Sequence, residues 1–244
     1  MVNNVIFNIL FAIILIIIIY YIVNWLSGGS GNYLTGINDG NKSIVVSSSD
    51  ISSNKNSNNF AYSIWFYLDD WQYRLTETKD LLVRKTNARD DNHNPHISFP
   101  PYENNINIII DTMQNNNSDD PNPITNKNTC SVRNFPLQRW VNLIVSLNGR
   151  TLDVYVDGKL VRTCILPGVA KPLGESDILI TPNGGFGGWT SRLQYWSNPL
   201  NPQEAFNVYR NGPSGGTNWL SIFDSFKIKV SLLIDNVQKG SFTI

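Results

Sequence analysis

Charged residues are scarce in this sequence. They make up 16% of the 244 residues, and the 19 basic and 19 acidic side chains give a formal net charge of +0. A nucleic-acid-binding protein normally carries a basic face, so this balance argues against nucleic acid as a partner. Internal repeats and nucleotide-binding motifs are also absent from the sequence. The informative features are therefore its apolar and aromatic patterns.

The scarcity of charge is greatest at the N-terminus, where the first 38 residues contain no Asp, Glu, Lys or Arg. From Val5 to Leu26 the chain is almost wholly apolar. Such a segment rises about 33 Å as a helix, enough to cross a hydrocarbon core of about 30 Å. The alternatives are a cleaved signal peptide, which would have a basic start and a shorter apolar stretch, and a buried core helix. We predict an uncleaved single-pass membrane anchor over residues 1–26, with these anchor residues: Val5, Ile9, Phe11, Ile14, Ile18, Tyr21 and Trp25.

The anchor is followed by a stretch rich in Gly and Ser, from Ser27 to Asn32, which is typical of a flexible linker. We place the linker at residues 27–42 and the folded domain at 43–244. Aromatic residues make up 11% of the chain, including seven Trp, and turn-forming residues are abundant. This composition indicates a single all-β sandwich domain.

The stretch Trp140–Pro167 predicts three consecutive antiparallel strands. Asn148-Gly149 and Asp157-Gly158 each suit a two-residue hairpin loop, because these residues tolerate positive φ. The resulting register places one set of residues on an apolar face: Leu143, Val145, Leu152, Val154 and Val161. It places another set on a polar face, where Asp153 and Arg162 form a cross-strand ion pair: Asn142, Ser146, Asp153, Arg162 and Cys164. Because this meander is apolar on one side only, it needs a second layer.

Alternating apolar patterns predict further strands at residues 43–47, 60–68, 80–85, 95–99, 105–111, 177–181 and 189–196, and in the tail at 226–234 and 240–244. Residues 114–128 are predicted to form a long polar loop, because two prolines interrupt regular structure. One short helix is predicted, with Asn201 as N-cap, Pro202 at the first position, Glu204 at N3 as in a capping box and Gly212 as terminator.

Four segments carry a resemblance to a known family: FAYSIWFY (60–67), FPLQRWVN (135–142), DVYVDGKLV (153–161) and the stretch 188–195. In order and spacing they resemble the laminin-G-like domains of the concanavalin A-like lectin/glucanase superfamily. The anchor, residues 200–210 and the ending 226–233 also resemble the membrane-anchored laminin-G-like proteins of nucleocytoplasmic large DNA viruses. The resemblance implies a jelly-roll sandwich of two antiparallel sheets, in agreement with the one-sided meander.

Glycosidases of this superfamily carry carboxylates that alternate along one strand, as nucleophile and acid about 5 to 5.5 Å apart. This pattern is missing, because the chain's four glutamates are isolated from one another: Glu77, Glu103, Glu175 and Glu204. His93 and His96 lack a matching nucleophile with an orienting acid, and we interpret them as part of a solvated loop. We therefore predict no catalytic residue, no cofactor site and no enzymatic activity.

Two kinds of ligand site remain as alternatives. Relatives of this kind often bind calcium through loop carboxylates, but the available residues lack alternating oxygen ligands, so we predict no metal site: Asp69, Asp70, Asp119 and Asp120. A glycan site needs aromatic platforms beside polar groups, and four residues near the glycine cluster 184–188 are candidates: Trp71, Tyr73, Trp189 and Trp196. The alternative is that these aromatic residues belong to the core and that the glycines form a turn.

Cys130 and Cys164 are the chain's two cysteines. Cys130 precedes the first strand of the meander and Cys164 lies near the end of the third, so the two side chains could meet. We predict a disulfide, which would close a loop of about 35 residues and which an oxidising space would permit. The alternative is a pair of reduced thiols.

Together these features predict a non-enzymatic, membrane-anchored structural protein of a large DNA virus particle, at the interface between virion membrane and capsid. The expected partners are a lipid membrane, bound through the N-terminal helix, and capsid or other virion proteins, contacted through the laminin-G-like domain. The alternative is a surface lectin that binds carbohydrate during host attachment.

Overall fold

The computed structural model describes residues 14–15, 17–19, 33–51, 58–87, 90–113, 125–172, 174, 176–213, 229–234 and 237–243. The chain divides into two units. One consists of residues 31–214, and the other of residues 1–30 together with residues 215–244.

Two six-stranded antiparallel sheets build the unit 31–214, which confirms the predicted jelly-roll-like sandwich. In sheet A the strand order is β1 (Asn38–Asp39), β12 (Gly187–Trp196), β3 (Phe60–Asp70), β8 (Trp140–Asn148), β9 (Thr151–Val156) and β10 (Lys159–Ile165). In sheet B it is β2 (Ile44–Val46), β11 (Ile178–Ile180), β4 (Lys79–Asn87), β5 (Asp90–Phe99), β6 (Asn105–Met113) and β7 (Thr125–Arg133).

The hydrophobic core lies between the two sheets. Strand β3 is central in sheet A, and every second residue from Phe60 to Leu68 belongs to this core. Phe66 lies in an aromatic cluster, with ring centroids 5.3, 5.5 and 6.4 Å from those of Phe99, Phe135 and Phe186. Burial of one such side chain stabilises a fold by about 1.5–3 kcal/mol. The alternation seen in the sequence therefore sets which face of β3 holds the sheets together.

The β8–β9 hairpin keeps the predicted faces but not the predicted pairing. Asn148 pairs with Thr151, so the loop is Gly149-Arg150, and Val145 lies opposite Val154 where Leu152 was expected. The shift is two residues, and side chains alternate with a period of two, so the same residues still face the core.

Strand β10 departs from the prediction because of a β-bulge at Val161. Asp153 lies opposite Thr163, whose hydroxyl donates a 2.6 Å hydrogen bond to it, so the predicted ion pair of Asp153 with Arg162 is wrong. An extra residue reverses the facing of the strand beyond it. Accordingly Val161, predicted in the core, is 47% exposed, and Cys164, predicted on the polar face, packs against the core.

The predicted linker, residues 27–42, includes residues that belong to the sandwich. Leu34 N donates to Leu193 O at 2.8 Å, and β1 pairs with β12. The predicted loop 114–128 is also too long, because residues 125–128 belong to β7, while residues 114–124 lie outside the described ones.

In the tail, β13 (Lys229–Ile234) pairs with β14 (Val237–Thr243) as a two-stranded sheet. The sandwich unit ends at residue 214, earlier than the predicted 244.

Most of the predicted membrane anchor lies outside the described residues, including Val5, Ile9, Phe11, Tyr21 and Trp25. Ile14 and Ile18 are helical and exposed. Within the part of the chain that the structure describes, no helix is both long enough and apolar enough to span a membrane.

Candidate binding face on sheet A

The outer face of sheet A is partly covered by the helix α1 (Pro202–Arg210), whose predicted caps are confirmed. Asn201 Oδ1 accepts a hydrogen bond from Glu204 N at 2.9 Å, and Glu204 Oε2 accepts one from Asn201 N at 2.8 Å. Such an N-cap stabilises a helix by about 1 kcal/mol. Gly212 follows the helix with φ 68°, a left-handed conformation that glycine adopts readily.

Helix α1 packs on the middle of this face. Ala205 is fully buried against Ile144 and Tyr155, and the Tyr209 ring stacks on Trp65 with centroids 5.7 Å apart. At Gly158 in the β9–β10 turn, φ is 71° and a Cβ would lie 3.0 Å from the Tyr209 Cβ, so glycine permits the close approach of the helix.

This cover explains why the β8 part of the predicted polar face of the meander is not solvated. Asn142 is fully buried and donates to Ser63 Oγ at 3.0 Å. Ser146 is 2% exposed and exchanges hydrogen bonds with the backbone of Leu200. Polar residues on a strand suggested contact with solvent, whereas here Asn142 Nδ2 and Ser146 Oγ have protein partners beneath a second layer and Asn142 Oδ1 is buried without one.

Beyond the helix, three aromatic residues lie side by side on the same face. Trp140 of β8 and Trp189 of β12 both pair with Tyr67 of β3. Their ring centroids are 5.8 and 5.5 Å from that of Tyr67, with edge-on interplanar angles of 68° and 66°. Trp189 is 40% exposed, while Tyr67 and Trp140 are half-buried. We call these three residues the aromatic row.

Gly188 positions Trp189 in the aromatic row. A Cβ at residue 188 would lie 1.9 Å from Tyr67 O, so only glycine lets β12 approach β3 at this point. At the other end of the row, Arg139 precedes Trp140 and forms a 2.6 Å ion pair with Asp157. The row is therefore a fixed surface of rings with an exposed cation beside it.

A cavity of about 500 Å³ lies beside Trp189. It has apolar walls, Ile37 and Ile44, and polar groups that include the ion pair between Asp39 and Lys42. This volume falls in the usual range for small-molecule sites, about 300–1,000 Å³.

A family model described as the concanavalin A-like lectin/glucanases superfamily, Laminin_G_3, matches residues 29–206, more than half of the chain. The chain belongs to this superfamily. No match was found among the curated proteins.

Solved structures share the fold of this laminin-G-like chain. The botulinum neurotoxin serotype D binding domain has 13% sequence identity and a TM-score of 0.51, over 72% of this chain and 41% of the toxin chain. The binding domain of botulinum neurotoxin DC, in complex with rat synaptotagmin II, has 13% identity and a TM-score of 0.51, over 72% and 42%. The chain thus spans less than half of these toxin chains, and at such identity the likeness concerns the fold alone.

The four aromatic residues predicted for a glycan site do not form one site. Trp71 packs against the core beneath Lys79, whose Nζ lies 4.3 Å from the ring centroid, and Tyr73 donates to Gly184 O at 3.1 Å. These two residues fasten the loop after β3. Trp196 lies at the far end of β12 beside a separate cavity of about 340 Å³.

Only Trp189 of those four belongs to the aromatic row, and the sequence reasoning missed Tyr67 and Trp140. The signal for Tyr67 was present, because Trp65 and Tyr67 alternate with the core residues of β3 and so must face outward. Trp140 could be added only once β8 was known to lie beside β3.

His93 and His96 lie on strand β5, so the predicted solvated loop is wrong. His96 Nε2 is 2.7 Å from Asp80 Oδ1, and Asn183 Nδ2 donates to Asp80 Oδ2 at 2.9 Å. Burial of the Asp80 carboxyl opposes ionisation, but the hydrogen bonds from His96 and Asn183 outweigh it and hold the pKa of Asp80 below its usual value. His93 N donates to Asp111 Oδ2 at 2.7 Å. These neighbours could not be inferred from local sequence patterns, because they lie on adjacent strands and an adjoining turn.

The described ranges contain no group of three or more His, Cys, Asp or Glu side chains arranged to hold a metal ion. Asp69 and Asp70 are exposed at the end of β3, and Asp119 and Asp120 lie outside the described residues.

The structure joins Cys130 and Cys164 in a disulfide. Cys130 lies on β7 and Cys164 on β10, which are the last strands in the order of sheet B and sheet A. The bond therefore links the two sheets at one side of the sandwich.

Proposed function

We propose that this chain is a non-enzymatic, membrane-anchored structural protein of a large DNA virus particle, which docks onto a neighbouring virion protein through the aromatic row. The observation that carries the docking part is the partly exposed set Trp140, Tyr67 and Trp189 on a rigid sheet. Trp, Tyr and Arg are the residues most enriched in the energetic centres of protein interfaces, and Arg139 flanks the row.

The fold is compatible with this role. The binding domains of two botulinum neurotoxins share it, and one of them was solved with a bound protein. The membrane part of the proposal is supported by the uncharged apolar segment Val5 to Leu26. The virion part is supported by the resemblance of the anchor and the C-terminal stretches to viral laminin-G-like proteins.

The docking proposal is tested by site-specific photocrosslinking in purified particles. A benzophenone amino acid at residue 189 should crosslink to one defined virion protein. The matched control is residue 45, since Val45 is also exposed, at 60%, but lies in sheet B. Equal crosslinking from both positions, or recovery of the protein only from the cytosol of infected cells, would contradict the proposal.

The anchor is tested separately by alkaline extraction of membranes. The full chain should stay with the membrane pellet, and a variant without residues 5–26 should move to the supernatant. Complete extraction of the full chain would refute the anchor without affecting the docking face.

A lectin is the second candidate, favoured by the cavity in which Trp189 meets the Asp39 and Lys42 side chains. On a glycan array, the full chain should then bind a defined glycan saturably, and Trp189→Ala should abolish binding. Trp196→Ala, at the separate cavity, should not. Absence of any saturable hit, or equal loss in both variants, would argue against a glycan site at Trp189.

A further inference from the structure

Arg192 is a buried cation of sheet A in which two of the five N–H groups of the guanidinium donate hydrogen bonds. It is 3% exposed. Its Nη1 donates to the carbonyl oxygens of Asn211 at 2.7 Å and Gly212 at 2.5 Å, just after helix α1. Its Nε and Nη2 are buried and have no hydrogen-bond partner among the residues that the structure describes.

The guanidinium charge has only partial compensation. The Tyr33 ring lies over the guanidinium, with its centroid 3.6 Å from Cζ, and the carbonyl groups belong to the negative end of the helix dipole. No described carboxylate forms an ion pair with Arg192. Burial lowers the pKa of Arg192 to about 10, so the side chain still carries its charge at neutral pH. A buried charge without an opposite charge is strongly unfavourable, and such a group calls for an explanation.

The backbone is distorted at this residue in a way that redirects its side chain. The pairing of β12 with β3 shifts between Ser191 and Gln194, and Arg192 has φ 50°. Ser191 pairs with Trp65 on the outer face, so simple alternation would point Arg192 into the core. The β-bulge instead brings its guanidinium to the end of helix α1. Bulges of this kind are over-represented beside functional sites, where they redirect a side chain.

We propose that the Nε and Nη2 edge of Arg192 is a binding site for an oxyanion, a carboxylate or phosphate group. The N–H groups on this edge point in parallel and match two oxygens of such a group, forming two charge-assisted hydrogen bonds. The Tyr33 ring, which is 41% exposed, covers one face of the guanidinium, and the proposal requires this side chain to rotate aside so that the ligand can reach the buried edge. This site is independent of the aromatic row.

The experiment follows the thermal unfolding of the full chain in lipid nanodiscs during titration with sodium phosphate or sodium acetate, against sodium chloride at equal ionic strength. Arg192→Lys keeps the charge and loses the parallel donors, and Arg162→Lys, at an exposed position on β10, is the matched control. The wild type and Arg162→Lys should show a saturable rise in Tm, roughly 5–10 °C at a hundredfold excess over Kd. Arg192→Lys should lose that rise, and the stronger of the two anions identifies the ligand class.

Equal rises in the wild type and Arg192→Lys would mean a general salt effect and would overturn the proposal. So would the absence of saturable heat when phosphate and acetate are titrated calorimetrically into the wild type, a measurement that requires no variant to fold.

Discussion

Removal of the disulfide tests how the two sheets are held together. The bond joins residues 34 apart in sequence and connects β7 of sheet B with β10 of sheet A, with the two Cα atoms 6.1 Å apart. In the chain-entropy model, closing a loop of about 35 residues lowers the conformational entropy of the unfolded chain. This stabilises the folded state by about 4 kcal/mol at 25 °C. For a domain of this size, that corresponds to a fall in Tm of roughly 8–16 °C.

The disulfide can be removed in two ways. Cys130→Ala with Cys164→Ala removes both sulfur atoms, and reduction of the wild-type protein opens the same loop while leaving them in place. Unfolding is followed in urea for the oxidised wild type, the reduced wild type and the double variant. Because Cys130 is 2% exposed, its truncation also loses some packing, so the double variant should be slightly less stable than the reduced protein.

The m-value of urea unfolding distinguishes the loss of the crosslink from the loss of packing around the sulfur atoms. A crosslink makes the unfolded chain more compact, so m should rise when the bond is opened by either route. If the reduced wild type loses less than about 1 kcal/mol and its m-value does not change, the reasoning is refuted. The sheets would then be held by the hydrophobic core between them, without a measurable contribution from the disulfide.

Three further outcomes are expected from chemical unfolding. Gly158→Ala should lower the free energy of unfolding by about 2 kcal/mol, because its methyl group would crowd helix α1 and the left-handed backbone is unfavourable for alanine. Gly149→Ala is the control: residue 149 has φ 59° but open space around it, so only the backbone cost should apply. Tyr62→Phe should cost about 1.5–3 kcal/mol, since it leaves buried Arg84 Nη1 without its 2.8 Å acceptor. The pKa of Asp80 is lower in the folded state than its ordinary value, near 3.8. The carboxylate therefore contributes its full stabilisation of the fold above that ordinary pKa, and this stabilisation is lost as the pH falls through the folded-state pKa. Asp80→Asn should therefore flatten the loss of stability below about pH 4, and an unchanged pH profile would disprove this role.

Much of the fold is predictable because its elements have local causes. The alternation of β3 and the capping residues of helix α1 each determine their structure within about ten residues of sequence. Side-chain parity also survives an error in the loop, as the β8–β9 hairpin illustrates.

The features that escaped prediction have causes elsewhere in the chain. The bulges at Val161 and Arg192 insert one residue or more where no glycine or proline marks the position, so only the pairing strand reveals them. Asn142 looked solvated because its strand gives no sign of the helix above it. The aromatic row likewise depends on strand order, since its three residues come from segments more than 40 residues apart in sequence.

The short length of helix α1 explains why the helix does not extend over the aromatic row. The helix has nine residues and is about 13.5 Å long, whereas the eleven residues of β3 extend roughly 36 Å, so α1 covers less than half of the strand it packs on. Its Tyr209 reaches Trp65, and the next outward residue of β3, Tyr67, is already beyond it. A sheet face that only meets water would carry polar side chains there, and a face that belongs to the core would lie under a longer helix. Rings packed edge-on at 5.5–5.8 Å and left partly exposed fit neither case, and this supports the proposal that the row docks onto a partner.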